Sequence, residues 1–475
     1  MKITSPDFPA NARRALADGE LQRALGNVPE GFQKKRARAR DALPEFDRLS
    51  DLAVEIKNHT LDYLDLYLEA FESRVHEAGG QVHWCSDAAA ARETIIALCR
   101  AAGARSVAKG KSMVTEEIAL NDALEAAGIR PVETDLGEYI IQLRHEPPSH
   151  IIAPAIHLNK EHVADTFRAN HTALDAARDL EAPESLLSEA RQILREEFLA
   201  ADVGITGANF LIAETGTATI VTNEGNGDLS QTLPPVQIVV ASIEKIVPTL
   251  EDAMTLTRLL ARSATGQEMS VYTSFTTGPR RADDLDGPRE FHVVLLDNGR
   301  SDLLAGPMRD MLRCIKCAAC MNHCPVYASV GGHAYGWVYP GPMGAVLTPQ
   351  FIGIEAGAHL PHASSFCGRC EAVCPVQIPL PRLMRFWRDR DFARAGPVRR
   401  DKLALRFWRL AARRPRLYRL GENLARRALR LAARAGGRAV PFFGGWTSVR
   451  DLPPPEKASL AALLAARNQK RKSSV

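Results

Sequence analysis

The stretch that decides the fold of the second half of the chain is CIKCAACMNHCP, residues 314–325. Its spacing, C-x2-C-x2-C-x3-C-P, is the one by which two-cluster ferredoxins hold [4Fe–4S] cubanes. Three cysteines on so tight a loop can each bind a different iron, and the fourth, followed by proline, is turned towards another cluster. The motif therefore predicts an iron–sulfur module with a second cluster close by.

A second motif, CGRCEAVCP at residues 367–375, repeats the last three cysteines of the first. Aligning the two motifs places Ser364 where a fourth cysteine would stand. The missing ligand is a serine oxygen, a residue of a partner protein or nothing, and a [3Fe–4S] cluster is an alternative to a second cubane. The cross-over rule assigns the cysteines to two clusters: Cys314, Cys317, Cys320 and Cys374 to cluster 1, and Cys324, Cys367 and Cys370 to cluster 2.

Structural zinc is the competing explanation, because paired CxxC motifs also form four-cysteine zinc sites. Three cysteines at x2 spacing and two Cys-Pro endings favour iron–sulfur clusters. A radical-SAM site needs C-x3-C-x2-C, an order that this stretch lacks. Of nine cysteines only Cys85 and Cys99 lie elsewhere, in apolar contexts that predict core positions rather than disulfides.

The composition indicates a globular protein of about three domains, taking roughly 150 residues for each. The chain has 475 residues and a net charge of +4. No apolar run approaches the roughly 18–20 residues that span a bilayer. The first residues lack the apolar region of a secretory signal, so we expect a cytoplasmic protein.

The pattern of apolar residues predicts four regions. Residues 1–80 have apolar residues at helical spacing. Residues 81–300 alternate strands such as QVHWC with helices such as ARETIIALCRAAG, which is typical of a layered α/β domain. Within that region, ITGANFLIAETGTATIVTNEGNG predicts strands joined by glycine turns. Residues 301–385 form the α-helical, ferredoxin-like two-cluster domain, and residues 386–475 are helical and basic, with a frayed tail after Trp446.

The segment GGHAYGWVYPGPMGAVLTP, residues 331–349, lies between the two cysteine motifs. Its glycines and prolines predict that no regular helix forms there. The aromatic side chains of Tyr335, Trp337 and Tyr339 either shield a cluster from water or simply pack the loop. We expect His333 to be hydrogen-bonded rather than a ligand.

Three further motifs imitate known sites. The run KGKS at residues 109–112 resembles the end of a P-loop, but Arg105 stands where the pattern needs glycine, so no NTPase is predicted. This helix start either attracts an anion or is merely capped. After Gly225 and Gly227, the run DLSQTLPP is predicted not to open a helix, so the dinucleotide fingerprint fails and no nicotinamide or flavin site is predicted. The run AETGT, residues 213–217, predicts a plain hairpin turn rather than a ligand-binding edge.

The basic C-terminal region carries its charge in a stripe. One helical face holds four cations beside three apolar residues: Lys402, Arg406, Arg409 and Arg413, flanked by Leu403, Phe407 and Leu410. Such a helix suits an anionic membrane surface, an acidic partner or nucleic acid, or is only a solvated face. Peripheral contact with the inner face of the membrane is our preferred interpretation. No nucleic acid is expected, because no helix-turn-helix or aromatic-interleaved basic groove is recognisable.

Nearly the whole chain resembles the lactate utilization protein B family of iron–sulfur proteins. The resemblance is carried by EPPSHIIAPAIHLNK, GITGANFLIAETGTATIVTNEGN, CIKCAACMNHCPVY, GGHAYGWVYPGPMGAVLTP and CGRCEAVCPVQIPL. It implies an N-terminal lactate-utilisation (LUD) domain with an isomerase-like α/β layout, a ferredoxin-like cluster module and a family-specific C-terminal region. It also implies growth on L-lactate together with a cysteine-rich-domain protein and a second LUD-domain protein, and a seven-cysteine pattern like the one here.

The sequence therefore predicts an electron-transfer subunit of an L-lactate dehydrogenase complex. One alternative is the iron–sulfur subunit of a related 2-hydroxy-acid or glycerol-3-phosphate oxidase. Another is a redox-sensing module that binds nucleic acid. The sequence assigns no catalytic residue, no lactate-binding residue and no ligand to the α/β domain.

Overall fold

The structure, a computed structural model, describes residues 3–396, 399–434, 455–456 and 458–473. These residues belong to two compact units, one ending at Asp391 and the other beginning at Phe392. The functional site lies in the first unit. The bounds of the four regions predicted from the sequence stay a prediction.

The first unit begins with five α-helices, one 3-10 turn and one short π-helix. Phe8, Leu25 and Phe46 of these helices are buried in the same apolar core as Met321 and Tyr327 of the cysteine-rich segment. The N-terminal helices therefore support the cysteine motifs directly. Their bounds are α1 Phe8–Ala17, α2 Gly19–Leu25, α3 Lys35–Asp41, α4 Phe46–Asp62 and α5 Leu64–Glu77, with the 3-10 turn Ser5–Asp7 and the π-helix Pro29–Lys34.

Two sheets form the α/β domain, as the alternation of strands and helices predicted. Their strands are β1 Gln81–Cys85, β2 Ser106–Lys109, β3 Arg130–Glu133, β4 Val203–Thr206, β5 Phe210–Ile212, β6 Thr217–Thr222, β7 Val236–Ser242, β8 Ile246–Val247, β9 Tyr272–Thr276 and β10 Glu290–Leu296. The larger sheet is parallel, in the order β1-β10-β7-β4-β2-β3, and the smaller, mixed sheet has the order β8-β5-β6-β9.

The order of the parallel sheet reverses between β2 and β4. From β2 the chain moves outward to β3, then returns to the other side of β2 to add β4, β7 and β10. Open α/β sheets bind ligands outside the carboxyl ends of the strands at such a switch point. The surrounding helices are α6 Ala88–Ala101, α7 Met113–Glu117, α8 Leu120–Ala126, α9 Leu136–Leu143, α10 Lys160–Asn170, α11 Pro183–Ala200, α12 Asn226–Thr232 and α13 Leu250–Ala264, with the 3-10 turn Ile243–Lys245 after β7.

The cysteine-rich segment consists of short helices, as its composition predicted. They are α14 Arg300–Ala305, α15 Ala319–Asn322, α16 Pro325–Val330, α17 Gly341–Phe351, α18 Ile354–Gly357, α19 His359–Ala363, α20 Arg369–Ala372 and the longer α21 Leu380–Ala395, with 3-10 turns at Arg309–Arg313 and His333–Tyr335. The two cysteine motifs lie around α15 and α20.

The helix α17 contradicts the prediction that residues 331–349 contain no regular helix. Gly341 and Pro342 occupy its first positions, where the backbone N–H groups have no partner within the helix. Pro349 is inside the helix but in its last turns. Residues 341–349 are all buried, so packing outweighs the poor helix propensity of glycine and proline.

The helix α12 corrects a second prediction, that the run after Gly227 cannot open a helix. Asn226–Thr232 is helical, and Pro234 and Pro235 lie beyond its end, where they do not interfere with it. The fingerprint still lacks its third glycine, because Ser230 stands at that position. The hairpin at residues 213–217 and the buried positions of Cys85 and Cys99 are confirmed.

The second unit contains basic helices, as predicted. They are α22 Arg399–Ala412, α23 Pro415–Arg434 and α24 Leu460–Ser473. Part of the tail expected to fray lies outside the described residues, and for the part forming α24 the expectation is wrong. Among the helices that the structure describes, none is long and apolar enough to cross a membrane.

Candidate metal centre

Four cysteines from both motifs meet around one small cavity in the first unit. Cys314, Cys317 and Cys320 of the first motif line it together with Cys374 of the second. Its remaining walls are largely apolar, with Ile151 among them. Cys374 therefore lies beside the cysteines that the cross-over rule assigns to cluster 1.

The other three cysteines, Cys324, Cys367 and Cys370, form a second group. Burial, together with the nearby Cys324 and Cys367, raises the pKa of the Cys370 thiol to about 12. Burial also raises the pKa of Cys324, and Cys367 adds to this rise. Cys370 is buried, whereas Cys367 is exposed to solvent.

The backbone repeats the same geometry in both motifs. Lys316 and Phe366, each immediately before a CxxC cysteine, have positive φ angles of 58° and 55°. Ala318 and Gly368, each immediately after, have φ angles of 60° and 78°. Left-handed conformations are costly for residues with a side chain, so three of them held at matching positions indicate that the loops are built to converge their cysteines.

Ser364 occupies the place in the second motif that Cys314 occupies in the first. The backbone N–H of Lys316 donates to Sγ of Cys314 at 3.4 Å. In the second motif, the N–H of Phe366 donates to Oγ of Ser364 at 3.2 Å. The Ser364 hydroxyl therefore has the same place in its turn as the Cys314 sulfur has in the first motif, and Arg388 donates to the carbonyl oxygen of Ser364 at 2.7 Å.

The thiols are suited to metal rather than to free thiolate chemistry. Burial raises the pKa of Cys317 to about 12 and that of Cys374 to about 11. Such thiols are protonated at neutral pH, and a metal ion supplies the charge that makes buried thiolates stable. Backbone N–H groups of Val376 and Ile378 face the Cys374 sulfur, and such contacts tune a bound cluster.

Buried cations surround the first cysteine group. The Arg36 guanidinium, on α3, donates to the carbonyl oxygen of Val373 at 2.8 Å. Burial lowers the pKa of Arg36, while the neighbouring Cys317 and Cys374 oppose that shift. Arg313 likewise faces Cys374. Positive charge beside a cluster favours its reduced, more negative state.

The aromatic residues of the loop at 331–349 have separate roles. Tyr335 is buried beside Cys324, and its hydroxyl acts on the Cys324 thiol by lowering its pKa, against the effect of burial. The Tyr339 ring lies 4.3 Å beneath Nζ of Lys316, a cation–π contact, and Trp337 packs against Tyr339. His333 is hydrogen-bonded to the carbonyl oxygen of Pro147 at 2.8 Å, as predicted.

A buried ionic network connects the α/β domain with the cluster segment. Arg300 donates two hydrogen bonds to Glu117, at 2.9 and 2.8 Å, and is ion-paired with Glu244 at 2.8 Å. The Tyr339 hydroxyl donates to Glu117 at 2.6 Å. Burial alone would raise the pKa of Glu244, but Arg300 and nearby lysines lower it to about 2.

A second, larger cavity of about 280 Å³ lies outside β2 and β4, at the switch point of the sheet. Lys316 and Ile151 line both this cavity and the one between the cysteines. The two sites are therefore neighbours. Further polar residues lining the larger cavity are Lys111, Ser112, Asp135, Thr206, Asn209, Asn223, Glu224 and Lys245.

The residues of the KGKS run have different roles: Lys109 is buried in ion pairs, whereas Lys111 and Ser112 line the larger cavity. Lys109 is buried and paired with Glu133 at 2.7 Å and with Glu116 at 3.0 Å, so it is not available to a phosphate. Ser112 caps α7 by accepting the backbone N–H of Thr115 at 3.4 Å. The predicted cap is confirmed.

The sequence reasoning missed how the segment after Pro147 reaches the cluster loop. His150 is buried, and its ring hydrogen-bonds Asn322 of α15 at 2.8 Å. Its other ring nitrogen accepts the backbone N–H groups of Ile152 and Ala153, both at 3.0 Å, so the ring is neutral. The available signal was the segment EPPSHIIAPAIHLNK, which the resemblance included without assigning it a role.

Comparison with known proteins agrees with this geometry. The LUD domain family matches residues 68–296, the 4Fe-4S dicluster domain residues 310–378, and the lactate utilisation protein B C-terminal family residues 393–469. Lactate utilization protein B of Shouchella clausii is 43% identical over 99% of this chain and 98% of its own length. This chain belongs to the lactate utilization protein B family. The Bacillus subtilis member is 41% identical over 96% of both chains.

Family membership confirms the coarse predictions: a lactate-utilisation iron–sulfur protein with an α/β LUD domain, a dicluster region and a helical C-terminal region. A solved structure of a DUF162 family protein from Deinococcus radiodurans covers 49% of this chain and 98% of its own, with 14% identity and a TM-score of 0.27. A structural similarity this low supports no conclusion about function.

Proposed function

We propose that this member of the lactate utilization protein B family is an electron-transfer subunit in the oxidation of L-lactate to pyruvate, relaying electrons through two clusters. The observation that carries the proposal is the position of the two cysteine groups. The first group shares Lys316 and Ile151 with the cavity of the α/β domain, and the second includes the exposed Cys367. One end of the relay is thus next to a small-molecule cavity and the other next to solvent.

The proposed ligand sets follow the grouping of the side chains. Cluster 1, a [4Fe–4S] cluster, takes four thiolates: Cys314, Cys317, Cys320 and Cys374. Cluster 2 takes three thiolates, Cys324, Cys367 and Cys370, and we propose the Ser364 hydroxyl as its fourth ligand. The matching hydrogen bonds to Cys314 and Ser364 support this choice over an open, three-iron cluster.

The proposed partners are a cysteine-rich-domain protein and a second LUD-domain protein, which would supply the remaining redox chemistry. We also propose that the basic C-terminal helices contact an anionic membrane surface. Phe407 and Trp408 of α22 are each more than 60% exposed beside the cationic stripe. Aromatic and basic side chains together suit the interface of a membrane. This would place the protein in the cytoplasm, peripheral at the inner membrane face.

The alternatives make different predictions. A subunit of a 2-hydroxy-acid or glycerol-3-phosphate oxidase would support growth on glycolate or glycerol 3-phosphate rather than L-lactate. A nucleic-acid-binding sensor would retard labelled DNA or RNA in a salt-dependent way.

The test of function combines genetics with analysis of the purified protein. A deletion strain should fail to grow on L-lactate and grow normally on pyruvate. The anaerobically purified chain should contain about seven to eight iron atoms, absorb broadly near about 400 nm and bleach with dithionite. Normal growth of the deletion strain on L-lactate would refute the proposed pathway, and colourless protein with stoichiometric zinc would refute the clusters.

A further inference from the structure

The larger cavity is lined by a buried lysine, Lys245. Lys245 follows β7 and is 6% exposed, yet its ammonium has no hydrogen bond or ion pair within the part of the chain that the structure describes. Glu244, its neighbour in the chain, acts on Lys245 electrostatically but is ion-paired with Arg300 at 2.8 Å. The Lys245 side chain therefore lines the cavity without a direct partner and can form a charge-assisted hydrogen bond with an anionic ligand there.

A second cation shares this wall. Lys316 lines the same cavity, and its charge acts unfavourably on Lys245. The left-handed backbone of Lys316 and the Tyr339 ring beneath its Nζ hold the side chain in place. Two neighbouring lysines that repel each other across a cavity form a site for a negatively charged group. Cys314 also faces Lys245, so this end of the cavity is the one beside the first cysteine group.

Another part of the cavity is acidic. Asp135 and Glu224 line this part together with Lys111. The Lys111 ammonium is 3.9 Å from the Asp135 carboxylate and donates to the carbonyl oxygen of Ile152 at 2.5 Å. Burial raises the pKa of Glu224, and Asp135 raises it further. These carboxylates would repel a phosphate dianion, but they can hydrogen-bond a hydroxyl group. The cavity volume of about 280 Å³ lies just below the usual range of ligand pockets, roughly 300–1,000 Å³, so it suits a small ligand.

We propose that this cavity binds a small 2-hydroxy-carboxylate, with the carboxylate on Lys245 and Lys316 and the 2-hydroxyl group donating towards Asp135 and Glu224. The substrate class rests on the proposed function, whereas the anion site rests on the two lysines. The α/β domain would thus hold the organic acid beside the first cluster site.

The test is a binding measurement on the anaerobically purified full-length chain. L-lactate, pyruvate, acetate and inorganic phosphate are titrated separately by calorimetry, with iron content measured on the same samples. We expect L-lactate to bind more tightly than pyruvate, acetate and phosphate, because only L-lactate has a hydroxyl group that can donate to the carboxylates of Asp135 and Glu224. Lys245→Met should weaken this binding at least tenfold, whereas Lys245→Arg should retain most of it, because a charge-assisted hydrogen bond is lost only in the first.

The matched control is Lys160→Met, which removes an exposed lysine from α10 and should leave binding unchanged. If L-lactate does not bind to protein with full iron content, the site is overturned while the clusters stay intact. Tighter binding of phosphate would overturn the substrate class, and equal binding by Lys245→Met would overturn the role of the lysine. Protein without iron would instead count against the proposed function, so the two failures are distinguishable.

Discussion

Replacing Arg300 with methionine should destabilise the protein strongly, because this side chain balances two buried carboxylates. Arg300 is 1% exposed and bonds Glu117 twice and pairs with Glu244. Removing one partner of a buried ionic group leaves uncompensated charge and costs about 3–5 kcal/mol. The free energy of unfolding, from urea titration followed by circular dichroism, should fall by that amount at pH 7.

The pH dependence of this loss gives a second check. In the wild type the pKa of Glu244 is about 2, and that of Glu117 is also lowered, below the unfolded value of about 4.3. Their stabilisation is present above the unfolded pKa and disappears as the pH falls towards the folded one. Without Arg300, burial raises both folded pKa values, so the carboxylates take up protons readily and the variant's deficit should shrink between pH 7 and pH 5.

The control is Arg168→Met, which breaks an exposed pair with Asp165 and should change the free energy of unfolding by less than about 1 kcal/mol. A loss below about 1 kcal/mol for Arg300→Met, or a deficit that does not change with pH, would refute the role assigned to the network.

Three further predictions concern the cluster ligands, the cluster environment and the basic helices. In electron paramagnetic resonance (EPR), Ser364→Cys should give cluster 2 the signal of a [4Fe–4S] cluster with four cysteine ligands. Ser364→Ala should give that cluster the signal of a [3Fe–4S] cluster. An unchanged spectrum for both variants would show that Ser364 is no ligand. Tyr335→Phe removes the hydroxyl group that acts on the Cys324 sulfur and should lower the reduction potential of cluster 2 with cluster 1 unaffected, as measured by redox titration; equal shifts of both clusters would contradict this. Changing Arg406, Arg409 and Arg413 to glutamine should abolish salt-sensitive co-sedimentation with anionic liposomes, since each cation contributes about 1 kcal/mol; equal binding, or none, by both proteins would leave the stripe as a partner-docking or solvated face.

The sequence predicted the elements whose signals are local. The short strand Gln81–Cys85 and the glycine-ended helix Ala88–Ala101 were found because their apolar residues and the following glycine are local signals. The seven cysteines were identified because ligand spacing on a tight loop is a local property. The buried helix Gly341–Phe351 was missed, since its stability comes from packing that local propensity cannot register.

The cavity beside the cluster site could not be predicted from the sequence, for a different reason. Lys245, Lys316 and Asp135 are far apart in the chain and come together only through the order of the parallel strands. A lone lysine in sequence carries no sign of being buried without a partner. Sheet order and side-chain burial are properties of the assembled fold, and the local pattern contains neither.

The measurement that tests the central claim most directly compares single-cysteine variants by EPR. Cys317→Ala and Cys370→Ala serve as references, each expected to remove the signal of one cluster. Cys374 lies close to Cys370 in sequence but lines the cavity of Cys317. Two crossed cluster sites predict that Cys374→Ala loses the signal missing in Cys317→Ala and retains the other. Loss of the signal missing in Cys370→Ala would contradict the account.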